Sequence, residues 1–334
     1  MKLYTVVLSE KCNLNCSYCG VDKWSKKSID PDLCVQEFWN LREKYPDEKI
    51  QVDFFGGEPL LHLDLVKKII EKIKNDKNIK FFMPTNALLL NENIVEYLNE
   101  NNVEVKISFD GLWQDKNRLQ LNGKGTLNKF LEKRELFKKI PDVTCHTMID
   151  KGCYNLLENH LWIKENFGFN PHLTLVRDLG TWNNNRVEKL KEGITEIFDW
   201  YTNNTHEEIP FFIVYYLRHF LNYSIKKYEK EYCGAGTDIL MFDENKVIPC
   251  TRFKREPELI QEIPNYIKMN VCQTCEVKNY CEKGCLFEQI KNKGPIEELC
   301  DIYKYLYHKV RTMCSILKKD LNFKTMLMEE IKNG

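Results

Sequence analysis

Residues 12 to 19 read Cys12-Asn13-Leu14-Asn15-Cys16-Ser17-Tyr18-Cys19, and an apolar run from Leu3 to Leu8 that predicts a first β-strand leads directly into them. The spacing C-x3-C-x2-C lets three thiolates share one side of a loop. That is enough for three corners of a cubane iron-sulfur cluster, which ordinarily asks for four cysteines. The iron left without a protein ligand can bind a small molecule, and a low-potential cluster can pass it an electron. Equally short spacings occur in zinc knuckles, and cysteines also pack as small hydrophobes.

Outward from this loop the chain alternates. Residues 30 to 43 predict a helix entered through Asp30-Pro31, with Leu33, Val35, Phe38 and Leu41 on one face and Cys34 as packing. A second strand, Gln51 to Phe55, ends at Gly56-Gly57-Glu58-Pro59, where two glycines allow close backbone approach to a ligand. A helix from 63 to 74 leads to the strand Phe81 to Met83 and the turn Thr85-Asn86-Ala87. Helix 91 to 100 leads to the strand Val103 to Ser108, which ends at Ser108-Phe109-Asp110-Gly111, with Arg118 shortly after. A helix from Gly125-Thr126 to about Lys139, a strand Val143 to Met148, a helix Leu156 to Asn166 and a strand His172 to Val176 complete the series. Six short apolar strands alternating with helices predict a parallel α/β sheet, too few for the eight strands that close a full barrel. The expected fold is a partial (β/α)6 TIM-like barrel, whose ligands sit at the carboxyl ends of the strands, and every turn named above falls at such an end.

Residues 186–232 predict a helical bridge, and the tail from about Ile296 onward a helix with Tyr303, Leu306, Val310, Met313 and Leu317 at helical spacing. Seven of the fourteen cysteines fall from the end of the bridge into the start of this tail: Cys233, Cys250, then Cys272-x2-Cys275-x5-Cys281-x3-Cys285, then Cys300. No signal peptide or membrane-spanning run is visible, so a cytoplasmic location is expected, where so many cysteines read as metal ligands rather than disulfides. Cys145, Cys153 and Cys314 read as structural. Lys plus Arg equals Asp plus Glu at 49 each, a balance that argues against nucleic acid and against a charged membrane surface. A peptide or small molecule is the expected substrate.

The cysteine loop, the Gly-Gly-Glu-Pro turn, the Thr85-Asn86-Ala87 turn and Ser108-x-Asp110-Gly111 together resemble the radical S-adenosylmethionine (radical SAM) enzymes. The resemblance implies a [4Fe-4S] cluster on Cys12, Cys16 and Cys19 that binds S-adenosyl-L-methionine, with Tyr18 beside the adenine. It assigns further cofactor contacts to Gly56, Gly57, Glu58, Asn86, Ser108 and Asp110. Arg118 is either such a contact or a solvated surface charge. In that family, electron transfer into the bound cofactor yields a 5′-deoxyadenosyl radical that takes hydrogen from substrate, and the electron comes from a donor such as flavodoxin or ferredoxin.

The later cysteines resemble the SPASM domain, a small cysteine-rich iron-sulfur extension that holds two auxiliary clusters of [4Fe-4S] type. The family's interlaced pattern gives Cys272, Cys275, Cys281 and Cys300 to one cluster. Cys233, Cys250 and Cys285 would hold the other, with Asp238 or Asp243 as a non-cysteine ligand, or with an open iron, because Ile239 stands where some relatives have another cysteine. Asn245 replaces a family glycine and tolerates the same positive φ. The expected division is 1–185 partial barrel, 186–232 bridge, 233–310 SPASM domain and 311–334 C-terminal helix.

The resemblance implies oxidation of a peptide, by a thioether or carbon-carbon cross-link as in ribosomal peptide maturation. Sulfatase maturation is disfavoured, because those relatives place an Asp after the second SPASM cysteine and this chain has Thr251-Arg252. A strand opening at residue 3 leaves no leader-binding module ahead of it, so recognition is expected from a separate leader-peptide-binding protein or from the core itself. The alternatives are dehydrogenation or epimerisation of a cyclitol or amino sugar, and a non-catalytic zinc-ribbon protein.

Overall fold

The computed structural model describes residues 1–21, 27–141, 143–226, 233–235, 238–269, 271–281 and 283–333. In chain order the elements begin β1 (Lys2–Val7), β2 (Leu14–Cys16), α1 (Pro31–Lys44), β3 (Ile50–Phe55), α2 (Leu63–Ile73), β4 (Ile79–Thr85), α3 (Glu92–Glu100) and β5 (Val103–Ser108). Then come α4 (Gln114–Asn117), β6 (Arg118–Gln120), α5 (Leu127–Leu131), α6 (Arg134–Phe137), β7 (Thr144–Ile149), α7 (Leu156–Phe167), β8 (His172–Leu175), α8 (Asn184–Asn203) and α9 (Phe211–Lys226). The hairpin β9 (Ile239–Asp243) and β10 (Lys246–Ile248) follows, then α10 (Ile263–Met269), α11 (Leu286–Lys291), α12 (Glu297–Leu317) and α13 (Leu321–Asn333).

The main sheet has eight strands in the order β10-β9-β1-β3-β4-β5-β7-β8, and β2 and β6 form a separate pair. The six expected strand-helix units are all present, and β1, β3, β4, β5 and β7 run parallel. Each helix is built from local signals. In α1 the Asp30 carboxylate caps the Asp32 amide with Pro31 in the first turn, and in α2 the residues Leu65, Val66, Ile69, Ile70 and Ile73 bury one stripe. Each such side chain contributes about 1.5–3 kcal/mol by leaving water.

Two expectations change. The helix expected from 125 to 139 is two short pieces, α5 and α6, parted at Glu132 and Lys133, where Lys133 Nζ donates to Leu90 O at 2.9 Å. The tail is two helices, because the Asp320 carboxylate accepts the Phe323 amide at 2.8 Å and starts α13 afresh. Asp320→Ala should lower stability by about 1 kcal/mol in urea unfolding, the usual loss for an N-cap. The end of the expected bridge, 227–232, lies outside the described residues, as does Gly334.

The chain packs as two compact units. One compact unit comprises Met1–His146 with Gly234–Ile260, and the other Thr147–Cys233 with Gln261–Gly334. The reason is strand pairing: β9 lies parallel against β1, with Leu3 opposite Ile239 and Val6 opposite Phe242, so the segment after Cys233 joins the sheet of the first unit. In the second unit α8 and α9 both pack on α12, α9 through Tyr216, whose ring stands 6.5 Å from Tyr303 and 5.7 Å from Tyr307. No helix among the described residues is long and apolar enough to cross a membrane.

Candidate active site

The end of β1 and the glycine turn are laid against each other by backbone bonds. Gly57 N donates to Ser9 O at 2.9 Å and Glu58 N to Lys11 O at 3.0 Å. A Cβ on Gly56, whose φ is +136°, would stand 2.2 Å from Ser9 O, and one on Gly57 would stand 2.2 Å from Lys11 O. The glycines are therefore required by the chain itself, at the three residues that lead into Cys12. Gly57→Ala should displace that lead-in, costing about 1–3 kcal/mol of stability and lowering iron uptake by the loop; unchanged unfolding and iron content would refute it.

Glu58 is buried and its carboxylate is engaged by its own chain. It accepts from Leu60 N at 3.1 Å, Thr85 Oγ1 at 2.6 Å and Asn86 N at 2.8 Å. Burial pushes its pKa up, and these donors oppose the shift. Asn86 Nδ2 in turn donates to Asn13 Oδ1 at 2.7 Å, so the turn at the end of β4 holds the cysteine loop. Ala87 sits at φ +64°, the left-handed region where the related motif has glycine.

Within the loop, Leu14 N donates to Cys12 Sγ at 3.4 Å and Cys19 N to Cys16 O at 3.3 Å. Burial pushes the Cys12 thiol up to about 11, so a cation at the site is what would draw off its proton. The donor set is three half-buried thiols with a backbone amide on one sulfur, which suits an iron-sulfur cluster.

The loop's far side is tied to the end of β5. In the β2–β6 pair Cys16 stands opposite Arg118, and Ser17 N donates to Asn117 O at 2.8 Å. Asp110, fully buried, accepts from Tyr18 OH at 2.6 Å and from Asn117 Nδ2 at 3.1 Å, and pairs with Arg118 Nε at 3.1 Å. The Arg118 guanidinium lies 5.4 Å from the centre of the Tyr18 ring. Burial opposes the arginine's charge, but Asp110, Tyr18 and Cys16 outweigh it and its pKa is raised. Arg118 is thus no solvated surface charge: it is 6% exposed and paired inside the protein. The Tyr18 hydroxyl is likewise committed to Asp110. Gln114 closes the network, accepting Asp110 N at 2.9 Å and donating to Thr126 Oγ1 at 2.9 Å.

Residues 6–151, which contain this whole network, match the family model of the radical SAM superfamily. The chain carries a radical SAM domain. Among curated relatives, the radical SAM cyclopropyl synthase TigE of Paramaledivibacter caminithermalis is 22% identical over 350 residues, 93% of this chain and 74% of that protein. The cysteine-type anaerobic sulfatase-maturating enzyme of Clostridium novyi is 33% identical over 140 residues, 37% of this chain and 36% of that protein. Among solved structures, anSMEcpe with bound AdoMet superposes with a TM-score of 0.75 at 17% identity, over 95% of this chain and 100% of that one. Streptococcus suis SuiB bound to precursor peptide SuiA gives 0.60 at 17% identity, over 88% and 73%. At such identities the superpositions speak for the fold. With its radical SAM domain the chain is an enzyme, and the family's [4Fe-4S] cluster and S-adenosylmethionine are its cofactors.

The segment after Cys250 packs beside the radical SAM cysteine loop in the same unit. Lys254 Nζ reaches Glu10 at 2.5 Å, Asp243 at 3.1 Å and Glu244 at 3.2 Å, and Arg255 donates to Gly20 O at 3.0 Å. The Arg252 guanidinium lies 3.2 Å from where a Cβ on Gly20 would be. Asn245 has φ +63°, the conformation expected where related chains have glycine, and its Oδ1 accepts Asp30 N at 2.7 Å. Of the two carboxylates considered as further ligands, Asp238 pairs with Lys2 at 2.7 Å and Asp243 with Lys254.

In the second unit Cys272, Cys275, Cys281 and Cys300 line one cavity, and Cys285, expected in the other set, lines it too. Burial pushes Cys300 up to about 11 and raises Cys272. Cys285 begins α11, where Gln289 N donates to its carbonyl at 3.0 Å. Cys250 belongs to the first unit, and exposed Cys233 closes one segment of the second.

The sequence reading gave no role to the side chains of Asn13, Thr85, Gln114, Asn117 and Thr126. Asn13 and Thr85 stood within the quoted loop and turn, and Asn117 next to Arg118 in the segment after Asp110.

Proposed function

We propose that this radical SAM enzyme oxidatively modifies a peptide side chain or backbone, forming a thioether or carbon-carbon cross-link. The observation that carries the reading is the three-thiol loop, held from one side by Asn86 and from the other by Asp110, inside the region that matches the superfamily. The cluster with S-adenosylmethionine supplies a 5′-deoxyadenosyl radical when bound. Cys12, Cys16 and Cys19 would hold the cluster, and backbone carbonyls of the turn at Gly56 and Gly57 would accept from the amino end of the cofactor. Ser108, at the end of β5, binds its polar groups. Tyr18 is pinned by Asp110 so that its ring flanks the cofactor, and Glu58, Asp110 and Arg118 act by fixing these groups in place. Cys272, Cys275, Cys281 and Cys300 hold an auxiliary cluster. The resemblance also implies a second auxiliary cluster, able to take the electron that a net oxidation releases.

The peptide substrate is supported by the fold shared with structures solved with bound peptides, and carbon-carbon bond formation by the likeness to a cyclopropyl synthase. A reductant such as flavodoxin or ferredoxin, and a separate leader-binding protein, complete the expected partners. Reconstituted enzyme incubated with S-adenosylmethionine, dithionite and the peptides encoded beside its gene should give a product lighter by two hydrogens. Unchanged mass with every such peptide, while S-adenosylmethionine is still cleaved, would overturn the substrate class.

A further inference from the structure

The sheet of the first unit has two unlike faces. Tyr4 meets α1 through Cys34 O at 2.9 Å and the Phe38 ring at 6.2 Å, which marks the helix-side face. By register that face continues through Val52, Phe54, Phe81 and Val105, all apolar and buried. Strands that follow in order with right-handed crossovers put their helices on one side, so the other face is the inner wall of the partial barrel.

Barrel interiors are ordinarily filled by branched apolar side chains. This wall is charged. Register sets Thr5, Asp53, Phe82 and Glu104 side by side on it, with Lys106 one pleat further along β5 and Ser108 one beyond that. At the amino ends of the strands Lys80 and Glu104 form an exposed pair at 2.9 Å.

Asp53 and Lys106 are different: both are partly withdrawn from solvent. Gln51 Nε2 donates to Asp53 Oδ1 at 2.8 Å, and Lys106 has neither a hydrogen bond nor an ion pair among the described residues. Burial pushes Asp53 up to about 6 and Lys106 down, and each charge counters the shift in the other. The Lys106 stem is partly covered while its ammonium still reaches solvent, so its donors remain open to a ligand. Violations of this kind, in an otherwise consistent sheet, mark functional positions.

We propose that Lys106 and Asp53 form a substrate-recognition subsite on the inner barrel wall, in which Lys106 takes a carboxylate and Asp53 the N–H donor beside it. The ligand is an acidic residue of the peptide substrate, so the inference rests on the peptide reading above. A phosphate dianion fits poorly, because Asp53 would repel it. The methionine carboxylate of S-adenosylmethionine shares the chemistry. Lys106, however, lies one pleat back from Ser108, away from the strand ends where the cysteine loop and the glycine turn gather.

The test uses reconstituted enzyme with S-adenosylmethionine present and two probes, acetyl-Gly-Glu-Gly-amide and its Gln counterpart, measured by calorimetry. Wild type should favour the Glu probe about tenfold, the size of one charge-assisted hydrogen bond. Lys106→Met should abolish the preference and Lys106→Arg should keep most of it, with S-adenosylmethionine affinity unchanged in both. Equal binding of the two probes by wild type would overturn the subsite without needing any variant. A Lys106→Met enzyme that keeps the preference and loses S-adenosylmethionine would overturn it by assigning Lys106 to the cofactor. Release of 5′-deoxyadenosine by wild type without substrate separates the two readings. Its absence condemns the radical assignment, and its presence without a probe preference condemns only the subsite.

Discussion

Cys16→Ala is expected to lower iron from about twelve to about eight atoms per chain, the loss of one cubane of three, and to abolish 5′-deoxyadenosine formation entirely. The effect is large because only Cys12 and Cys19 remain in the loop to hold a cluster, and because Cys16 is the thiol within β2, directly opposite Arg118. The paramagnetic signal of the dithionite-reduced protein that shifts on adding S-adenosylmethionine should vanish, while the signals of the auxiliary clusters persist. Full iron content with undiminished cofactor cleavage would show that the loop is not the site. Zinc in place of iron in the wild-type protein would do the same.

Asp110→Ala is expected to cost about 3–5 kcal/mol, the penalty for stranding one partner of a buried ion pair. Its carboxylate meets Arg118, Tyr18 and Asn117, and all three lose it at once. Arg118 is left as an unpaired cation 6% exposed, where water reaches it poorly. Removing both charges, in Asp110→Ala with Arg118→Met, should recover a clear part of the loss, since what is costly is the charge left alone. Urea unfolding of the two single variants and the double variant decides it. A loss under 1 kcal/mol for Asp110→Ala, or strictly additive effects, would mean that the network contributes little. The same single variant should loosen the β2–β6 pair and with it the hold on Cys16, so iron content is the second reading to take.

The strands and most helices could be read from periodicity because the signals are local. Val, Ile and Phe runs end at turns, and stripes such as Leu65, Val66, Ile69 and Ile70 repeat at helical spacing. The breaks were less legible. Asp320 reads as one more polar residue in a helical tail until its carboxylate is seen on the Phe323 amide. Arg118 reads equally as a cofactor contact or as a surface charge, since nothing near it in the chain reveals a buried partner.

The pairing of β9 with β1 joins residues more than two hundred positions apart, and no composition shift announced it. The glycine turn reads in the sequence as a place where backbone approaches a ligand. The structure shows its close approach to Ser9 and Lys11 of the chain itself.

By itself the sequence determined the alternation of strands and helices, the three-thiol spacing and the second crowd of cysteines, because each depends on residues within a few positions of one another. Only the tertiary structure decided which carboxylates are committed: Asp110 to Tyr18, 92 residues away, and Glu58 to Thr85. It also placed Asp53 and Lys106 on one wall of the sheet. A polar side chain's partner is chosen by which strand lies next to it and in what register, and that choice is made by the burial of the whole sheet rather than by any stretch of the chain.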